Sequence, residues 1–193
     1  KLPTQKIIEQ QDITDPDVAD VTGVLNASVG PSSTAVTVIS TGYTNPSVPR
    51  NVLVTPQGTT ADVASCVVTL TGTNFYDSAI TEAFTFSANA STAQTGSKAF
   101  KTVSSASFAA SCEDSPYTAT WSIGQGEKIG LKRCMDSAGH VVFSTIDGAY
   151  EATRATVAAH STQIENNTAD FNGTMDGSSD FEAFFIQNYG CFP

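Results

Sequence analysis

Apolar and polar residues alternate in short runs along this chain. In Ile80-Thr81-Glu82-Ala83-Phe84-Thr85-Phe86, Ile80, Phe84 and Phe86 fall on one face and Thr81 and Thr85 on the other. That period of two is the mark of a half-buried strand. Phe100, Thr102, Ser104, Ala106 and Phe108 share one parity within Lys98 to Phe108, and Tyr117, Ala119, Trp121 and Ile123 share one within the next run. Further β-rich runs are Thr34 to Ile39, Arg50 to Thr55, Asp62 to Thr71, Lys128 to Arg133, Val141 to Thr145, Tyr150 to Ala158, Ala169 to Asn172 and Phe181 to Gln187. Turn signals divide them: Pro56-Gln57-Gly58, Thr71-Gly72-Thr73-Asn74, Gly124-Gln125-Gly126, Ala138-Gly139, Asp147-Gly148, Asn172-Gly173 and Asp176-Gly177. Asn172-Gly173 reads as the type I′ turn of a hairpin.

The pattern predicts an all-β fold, an antiparallel β-sandwich or barrel of about ten short strands. No amphipathic helix of about 10–15 residues alternates with the strands, which argues against a doubly wound α/β fold. Residues 1–49 read as an irregular N-terminal arm and first strand region, and residues 50–193 as the sandwich domain. Two small sheets in separate lobes are the other arrangement, with a break near residues 111–116 or 134–140. In the arm, Ile7, Ile8, Ile13 and Val18 are isolated apolar points in a polar, acidic segment. They are the candidate partner-binding residues. Trp121 and Phe75, Phe84, Phe86, Phe100 and Phe108 are the candidate core aromatics.

Composition narrows the function. Ser and Thr number 47 of 193 residues, a neutral polar surface. Nine Lys and Arg stand against 19 Asp and Glu, for a net charge of −10. So acidic a chain lacks the phosphate contacts that nucleic-acid affinity rests on. No run of about 18 apolar residues exists, so no membrane helix is expected. The chain opens on Lys1 without a basic-then-apolar leader, which predicts processing and no visible signal peptide. Lys98, Lys101, Lys128, Lys132 and Arg133 concentrate basic charge mid-chain. As a patch they would face an acidic partner; as scattered residues they are ordinary surface charge.

Candidate chemistry is sparse. GxSxG, HExxH and P-loop motifs are absent. Gly124-Gln125-Gly126 starts like a dinucleotide loop but lacks the third glycine. His140 and His160 are not spaced as metal partners, and neither sits in a catalytic pattern. Glu151, Asp176, Asp180 and Glu182 are the acids from which a glycosidase pair would have to come, and nothing singles out two of them. The Asp12, Asp15, Asp17 and Asp20 cluster lacks EF-hand spacing. No catalytic residue, cofactor or metal site is predicted. Cys66, Cys112, Cys134 and Cys191 form no CxxC pair, and four cysteines allow three disulfide connectivities. Cys66 in its apolar run reads as a small core residue, Cys112 and Cys134 as a possible pair, and Cys191 as a site for a bridge that ties down the terminus. Asn26, Asn89, Asn166 and Asn172 each begin an N-x-S/T triplet.

Five segments carry a resemblance. They are Arg50-Asn51-Val52-Leu53-Val54-Thr55, Val67 to Asn74, Ile80 to Phe86, Gly96 to Val103 and Ile123 to Leu131; the closing run Asn172 to Phe185 continues it. Their order and phrasing resemble small structural proteins of tailed bacteriophages, of the head decoration or cement type. The resemblance covers roughly residues 50–187, and Cys112, Cys134 and Cys191 depart from the group's pattern. It implies a non-enzymatic virion protein, without cofactor, that binds the major capsid protein on the outside of the capsid lattice and stabilises it. It also implies a homo-oligomer, a trimer by preference, with no nucleic-acid or membrane partner. The arm would then add a strand to a neighbour's sheet edge. Within the virion, the alternative is a tail-tube or head–tail connector subunit. From another class comes a secreted carbohydrate-binding or adhesive β-sandwich, which needs an exposed aromatic platform.

Overall fold

The computed structural model describes residues 7–28, 35–57, 63–110, 112–113 and 119–186. Thr34, Gly58, Asp62, Tyr117, Gln187 and Cys191, drawn on above, lie outside them. Among the described residues the regular structure is strand throughout, apart from two short 3-10 turns at Ala138–His140 and Ile164–Asn166. The strands in chain order are β1 (Ile8–Ile13), β2 (Asp20–Ser28), β3 (Thr37–Ile39), β4 (Arg50–Gln57), β5 (Cys66–Thr73), β6 (Ala79–Phe86) and β7 (Gln94–Phe100). There follow β8 (Thr102–Phe108), β9 (Thr120–Gly130), β10 (Val141–Ile146), β11 (Ala149–Tyr150), β12 (Thr156–Ala158), β13 (Thr168–Asp170) and β14 (Phe181–Ile186). They make three antiparallel sheets. The first runs β1-β14-β10-β11, the second β12-β13-β9-β4-β7 with β2 also on β9, and the third β3-β8-β5-β6. The all-β architecture expected from the sequence is the one observed.

The eleven-residue strand β9 is the spine. One of its edges pairs with β4 along nearly its whole length, from Gln57↔Thr120 to Arg50↔Ile129. It also pairs with β2 around Trp121 to Gln125 and with β13 at Lys128 to Gly130. The third sheet closes over the first half of this spine and the first sheet over the second half. Two hydrophobic cores result. One gathers Val52, Val54, Val68, Leu70, Phe84, Phe86, Phe100, Phe108, Trp121 and Ile123, among others. The other gathers Ile13, Ile129, Leu131, Met135, Val141, Phe171, Phe181 and Phe185. Trp121 meets Phe86 edge-on at 4.8 Å between ring centres. The core aromatics are thus as expected, except Phe75, which is only half-buried. The two cores share β9, with Trp121 and Ile123 in one and Ile129 in the other, and most of residues 111–116 lie outside the described residues.

Arg50 stands at the junction of the two cores, fully buried. Its Nε donates to Gly126 O at 2.5 Å, Nη1 to Asp17 O at 2.6 Å and Nη2 to Met175 Sδ at 3.1 Å. Burial lowers its pKa to about 10, opposed by the charges of Asp17 and Glu127. The cation stays protonated near neutrality and joins three distant segments.

Several local expectations fail for one shared reason. Gly124-Gln125-Gly126 is no turn; β9 runs straight through it. A Cβ on Gly124 would strike the Asp20 carbonyl and Val21 backbone, and one on Gly126 the Asn51 side chain. These glycines admit neighbouring backbone and side chain, the other meaning of glycine in a strand. The run Lys98 to Phe108 is two strands with a corner at Lys101, and Tyr150 to Ala158 is split between β11 and β12. Asn172-Gly173 closes no hairpin, because β13 is followed by β14 in a different sheet. Asp147-Gly148 does close one. Both residues have positive φ, at 51° and 74°, and Ile146 faces Ala149 across a two-residue I′ turn.

Cys66 is bonded to Cys112, with Cα atoms 4.9 Å apart. Cys66 is a core residue as expected, at 7% exposure, while the expectation that Cys112 pairs with Cys134 is corrected. Cys134 is disulfide-bonded as well. The spacing along the chain misled, because β5 brings Cys66 beside a segment 46 residues later.

Candidate functional site: the outer face of the first sheet

The N-terminal segment expected to be an irregular arm is built into the protein. β1 pairs with β14 from Ile8↔Ile186 to Ile13↔Phe181. Gln11, almost wholly buried, donates from Nε2 to Gly130 O at 2.9 Å and accepts from Lys132 N at Oε1 at 2.7 Å, as a neighbouring strand would. Glu9 binds the Arg133 guanidinium through both oxygens, at 2.9 and 3.1 Å, and Lys132 at 3.2 Å. The Arg133 hydrogen bond, more than Lys132, holds the Glu9 carboxyl below its ordinary pKa against the opposing effect of burial. Residues 7–49 therefore contribute β1, β2 and β3, each paired with a strand from beyond residue 50, and residue 49 is not a domain boundary.

Of the four candidate partner-binding residues, Ile7 and Ile8 are 58% and 56% exposed and Val18 is 52% exposed. Ile13 is 3% exposed and belongs to the second core, because it shares the inward parity of Gln11. Val18 lies apart from Ile8. It precedes Ala19, Asp20 and Val21, one wall of an open pocket of about 300 Å3 also lined by Gln125, Glu127, Lys128 and Asp170.

Register places Ile8 on a larger feature. The inward residues of β14 are Phe181, Ala183 and Phe185, so Glu182, Phe184 and Ile186 point outward. Phe184 faces Gln10 on one side and Phe143 on the other, and Ile186 faces Ile8. The Phe143 and Phe184 rings stack at 4.2 Å, and Tyr150, 75% exposed, meets Phe143 edge-on at 5.1 Å. An aliphatic and aromatic strip, Ile8–Ile186 beside Phe184–Phe143–Tyr150, thus lies on the solvent side of the first sheet. Next to it runs a polar row. Glu182 accepts from Gln10 Nε2 at 2.9 Å and from the Thr145 hydroxyl, and Asp12 accepts from the same Gln10 amide at 2.5 Å. The two carboxylates are held in place by neutral donors, so their charge is not cancelled within the face. Sequence reasoning missed this strip because β1, the β10–β11 hairpin and β14 are far apart in the chain. The apolar run Phe181 to Ile186, broken only by Glu182, was its one visible signal.

The other charged candidates are dispersed. Lys101 pairs with Asp77, Lys132 and Arg133 with Glu9, Lys98 Nζ donates to Thr81 O, and Lys128 lines the open pocket with Asp20 and Asp170. Glu151 accepts from Asn172, Asp176 from Ser178 and Ser179, and Asp180 from the Asp15 amide. His140 Nε2 lies 3.3 Å from Asp136, and His160 Nδ1 accepts from the Gln163 amide. Among the described residues no three His, Cys, Asp or Glu side chains are gathered as a metal ion requires. No helix among them is long and apolar enough to cross a membrane.

The chain matches no family model, no curated protein and no solved structure.

Proposed function

We propose that this is a non-enzymatic structural protein of a tailed-phage virion, a decoration or cement protein that docks on the major capsid lattice and stabilises it. The strand phrasing of residues 50–187 supports the family. The observation that carries the docking role is the outward strip of Ile8, Phe184, Phe143 and Tyr150 beside Asp12 and Glu182. Aromatic residues surrounded by polar groups are the usual centre of a protein interface, and the carboxylates ask for Lys or Arg on the partner. The body suits a load-bearing part. Gln11, Arg50, Asn51, Gln125 and Asn167 are buried polar residues that each bond backbone of a separate segment. Docking repeated over a lattice would hold firmly even where each contact is weak.

The test is co-pelleting with undecorated tailed-phage capsids, followed by heat challenge of the decorated shells. Saturable binding, raised shell stability and a tenfold or greater loss of affinity in Tyr150→Ala and Ile8→Asp are expected. Absence of binding overturns the reading, and rings or tubes of the free protein would point to a tail subunit. A second reading, a secreted adhesive or carbohydrate-binding module, is favoured by the Cys66–Cys112 bridge, since disulfides mark oxidising surroundings. Virion surfaces are among those surroundings. The stacked Phe143 and Phe184 rings turn a face toward each other, so Tyr150 is the ring best placed to receive a sugar. Glycan binding lost in Tyr150→Ala, without capsid binding, would establish that reading.

A further inference from the structure

The open pocket beside Val18 is made by a fault in the second sheet. Both neighbours of β4 break register at one place. Arg50 and Val52 face Ile129 and Gln125 on β9, so β9 spends extra residues over the same stretch of β4. Asn51 and Leu53 face Ala99 and Thr95 on β7 in the same way. Bulges of this kind re-aim side chains and recur beside functional sites. Asn51, 1% exposed, fills the fault. Its Oδ1 accepts from Lys128 N at 2.9 Å and its Nδ2 donates to Gly96 O at 3.1 Å. The bulged segment Gly126 to Lys128 becomes one wall of the pocket, facing Asp20 and Val21 of β2 and Asp170 of β13.

We infer that this pocket binds an organic cation, an ammonium or guanidinium group on an aliphatic stem. The polar part of its wall is rich in acceptors. Gln125 is 6% exposed, and its Nε2 donates to Val18 O at 3.0 Å. The other end of that buried amide, Oε1, has no donor among the described residues. Asp20, Glu127 and Asp170 add carboxylates. Asp20 Oδ1 accepts from the Thr22 amide and hydroxyl, at 2.8 and 2.9 Å, which leaves Oδ2. Among the described residues nothing donates to the Glu127 or Asp170 side chain, and Lys128 forms no salt bridge with any of these acids. Arg50 lies close enough to feel the charge of Glu127. Three carboxylates against Lys128 and Arg50 leave the site net negative. The acids are not gathered as a metal ion requires. Acceptors spread along a wall suit a group with several N–H donors instead. Leu53, Val21 and Ala19 give the methylene stem an apolar side to lie on. The volume of about 300 Å3 is at the small end for a ligand pocket and suits a single group of this size. A free amine and a lysine or arginine side chain on a partner supply the same chemistry. In an open site with screened charges, one such group binds with a Kd on the order of 1 mM. The inference is independent of the proposed capsid docking, which uses the first sheet.

NMR titration of the isotope-labelled full chain with Nα-acetyl-arginine amide tests it. Saturable shifts at the Gln125 side-chain amide and the Leu53 methyl groups are expected. Nα-acetyl-norleucine amide, the uncharged control, should give none. Glu127→Gln and Asp170→Asn should each raise the Kd about threefold, and Lys128→Met should lower it by about the same factor. High salt should weaken binding. Agmatine and the peptide Gly-Gly-Arg-Gly-Gly separate the two sources. Binding of the peptide, with or without agmatine, assigns the pocket to a partner's side chain, and binding of agmatine alone assigns it to a free amine. Spectra with wild-type dispersion verify that each variant is folded. Absence of shifts at about 20 mM ligand overturns the inference. So do equal shifts with the uncharged control, or a Kd that the folded Glu127, Asp170 and Lys128 variants leave unchanged.

Discussion

Asn167 offers the sharpest quantitative test of how the second lobe is held. It is fully buried, and all four hydrogen-bonding positions of its amide are filled. Oδ1 accepts from Met135 N at 3.0 Å and His160 N at 2.9 Å. Nδ2 donates to His160 O at 2.9 Å and Gln163 O at 2.8 Å. One side chain thus fastens the loop after β9 to the loop before β13. In Asn167→Ala these groups lose their partner. Met135 N and His160 O keep each other at 3.2 Å, and Gln163 O keeps Asn166 N at 3.2 Å, so His160 N is the one backbone group of the four left without a partner. At about 1–3 kcal/mol for an unsatisfied buried group, partly relieved by water, the cost is about 2 kcal/mol. For a chain of this size that lowers Tm by about 6 °C. Asn167→Asp should cost at least as much, because it keeps the acceptors but turns an oxygen toward two carbonyls. The assay is urea unfolding under non-reducing conditions, followed by far-UV circular dichroism and by fluorescence of Trp121. That tryptophan lies in the first core, so it reports the other lobe from Asn167. Because β9 runs through both cores and Arg50 ties segments at their junction, both probes should shift to the same lower midpoint. A loss below about 1 kcal/mol would refute the reasoning about the amide. A shift seen by circular dichroism alone would refute the coupling of the lobes.

Two further outcomes follow from the same structure. Replacing Cys66 and Cys112 together by Ser opens a link between residues 46 apart, which chain entropy values at about 4 kcal/mol. A non-reducing peptide map should recover the Cys66–Cys112 link, leaving Cys134–Cys191 as the only other intrachain pair four cysteines allow. Glu9 governs part of the acid limb. Its folded pKa lies below the ordinary 4.5, so its stabilisation is complete above that value and is lost as pH falls through the folded pKa. The stability difference between wild type and Glu9→Gln should therefore be constant near neutrality and shrink below about pH 4.5, and a difference that grows on acidification would contradict the Arg133 pairing.

The sequence by itself determined the class of this fold. Period-two alternation in Ile80 to Phe86 is a local consequence of a strand with one dry face, so it is written where the strand is. The Asp147-Gly148 turn is equally local, because two adjacent residues must adopt positive φ. What lay beyond the sequence was partnership. Nothing in Gly124-Gln125-Gly126 says whether the glycines bend the chain or admit a neighbour, until β2 and Asn51 are seen to fill the space. β2 itself was unforeseen, because its register on β9 is broken twice and its buried residues Val24 and Leu25 are adjacent, which breaks the alternation of a half-buried strand. Gln11 looked like one polar residue of an arm and is a buried clamp on Gly130 and Lys132. The strip of Ile8, Phe184, Phe143 and Tyr150 exists only because antiparallel pairing sets β14 between β1, from the start of the described chain, and β10, as in Ile8↔Ile186 and Phe143↔Phe184. Side-chain period is a property of one strand and can be read from it. Pairing and burial are properties of the folded chain, decided by which surfaces exclude water together.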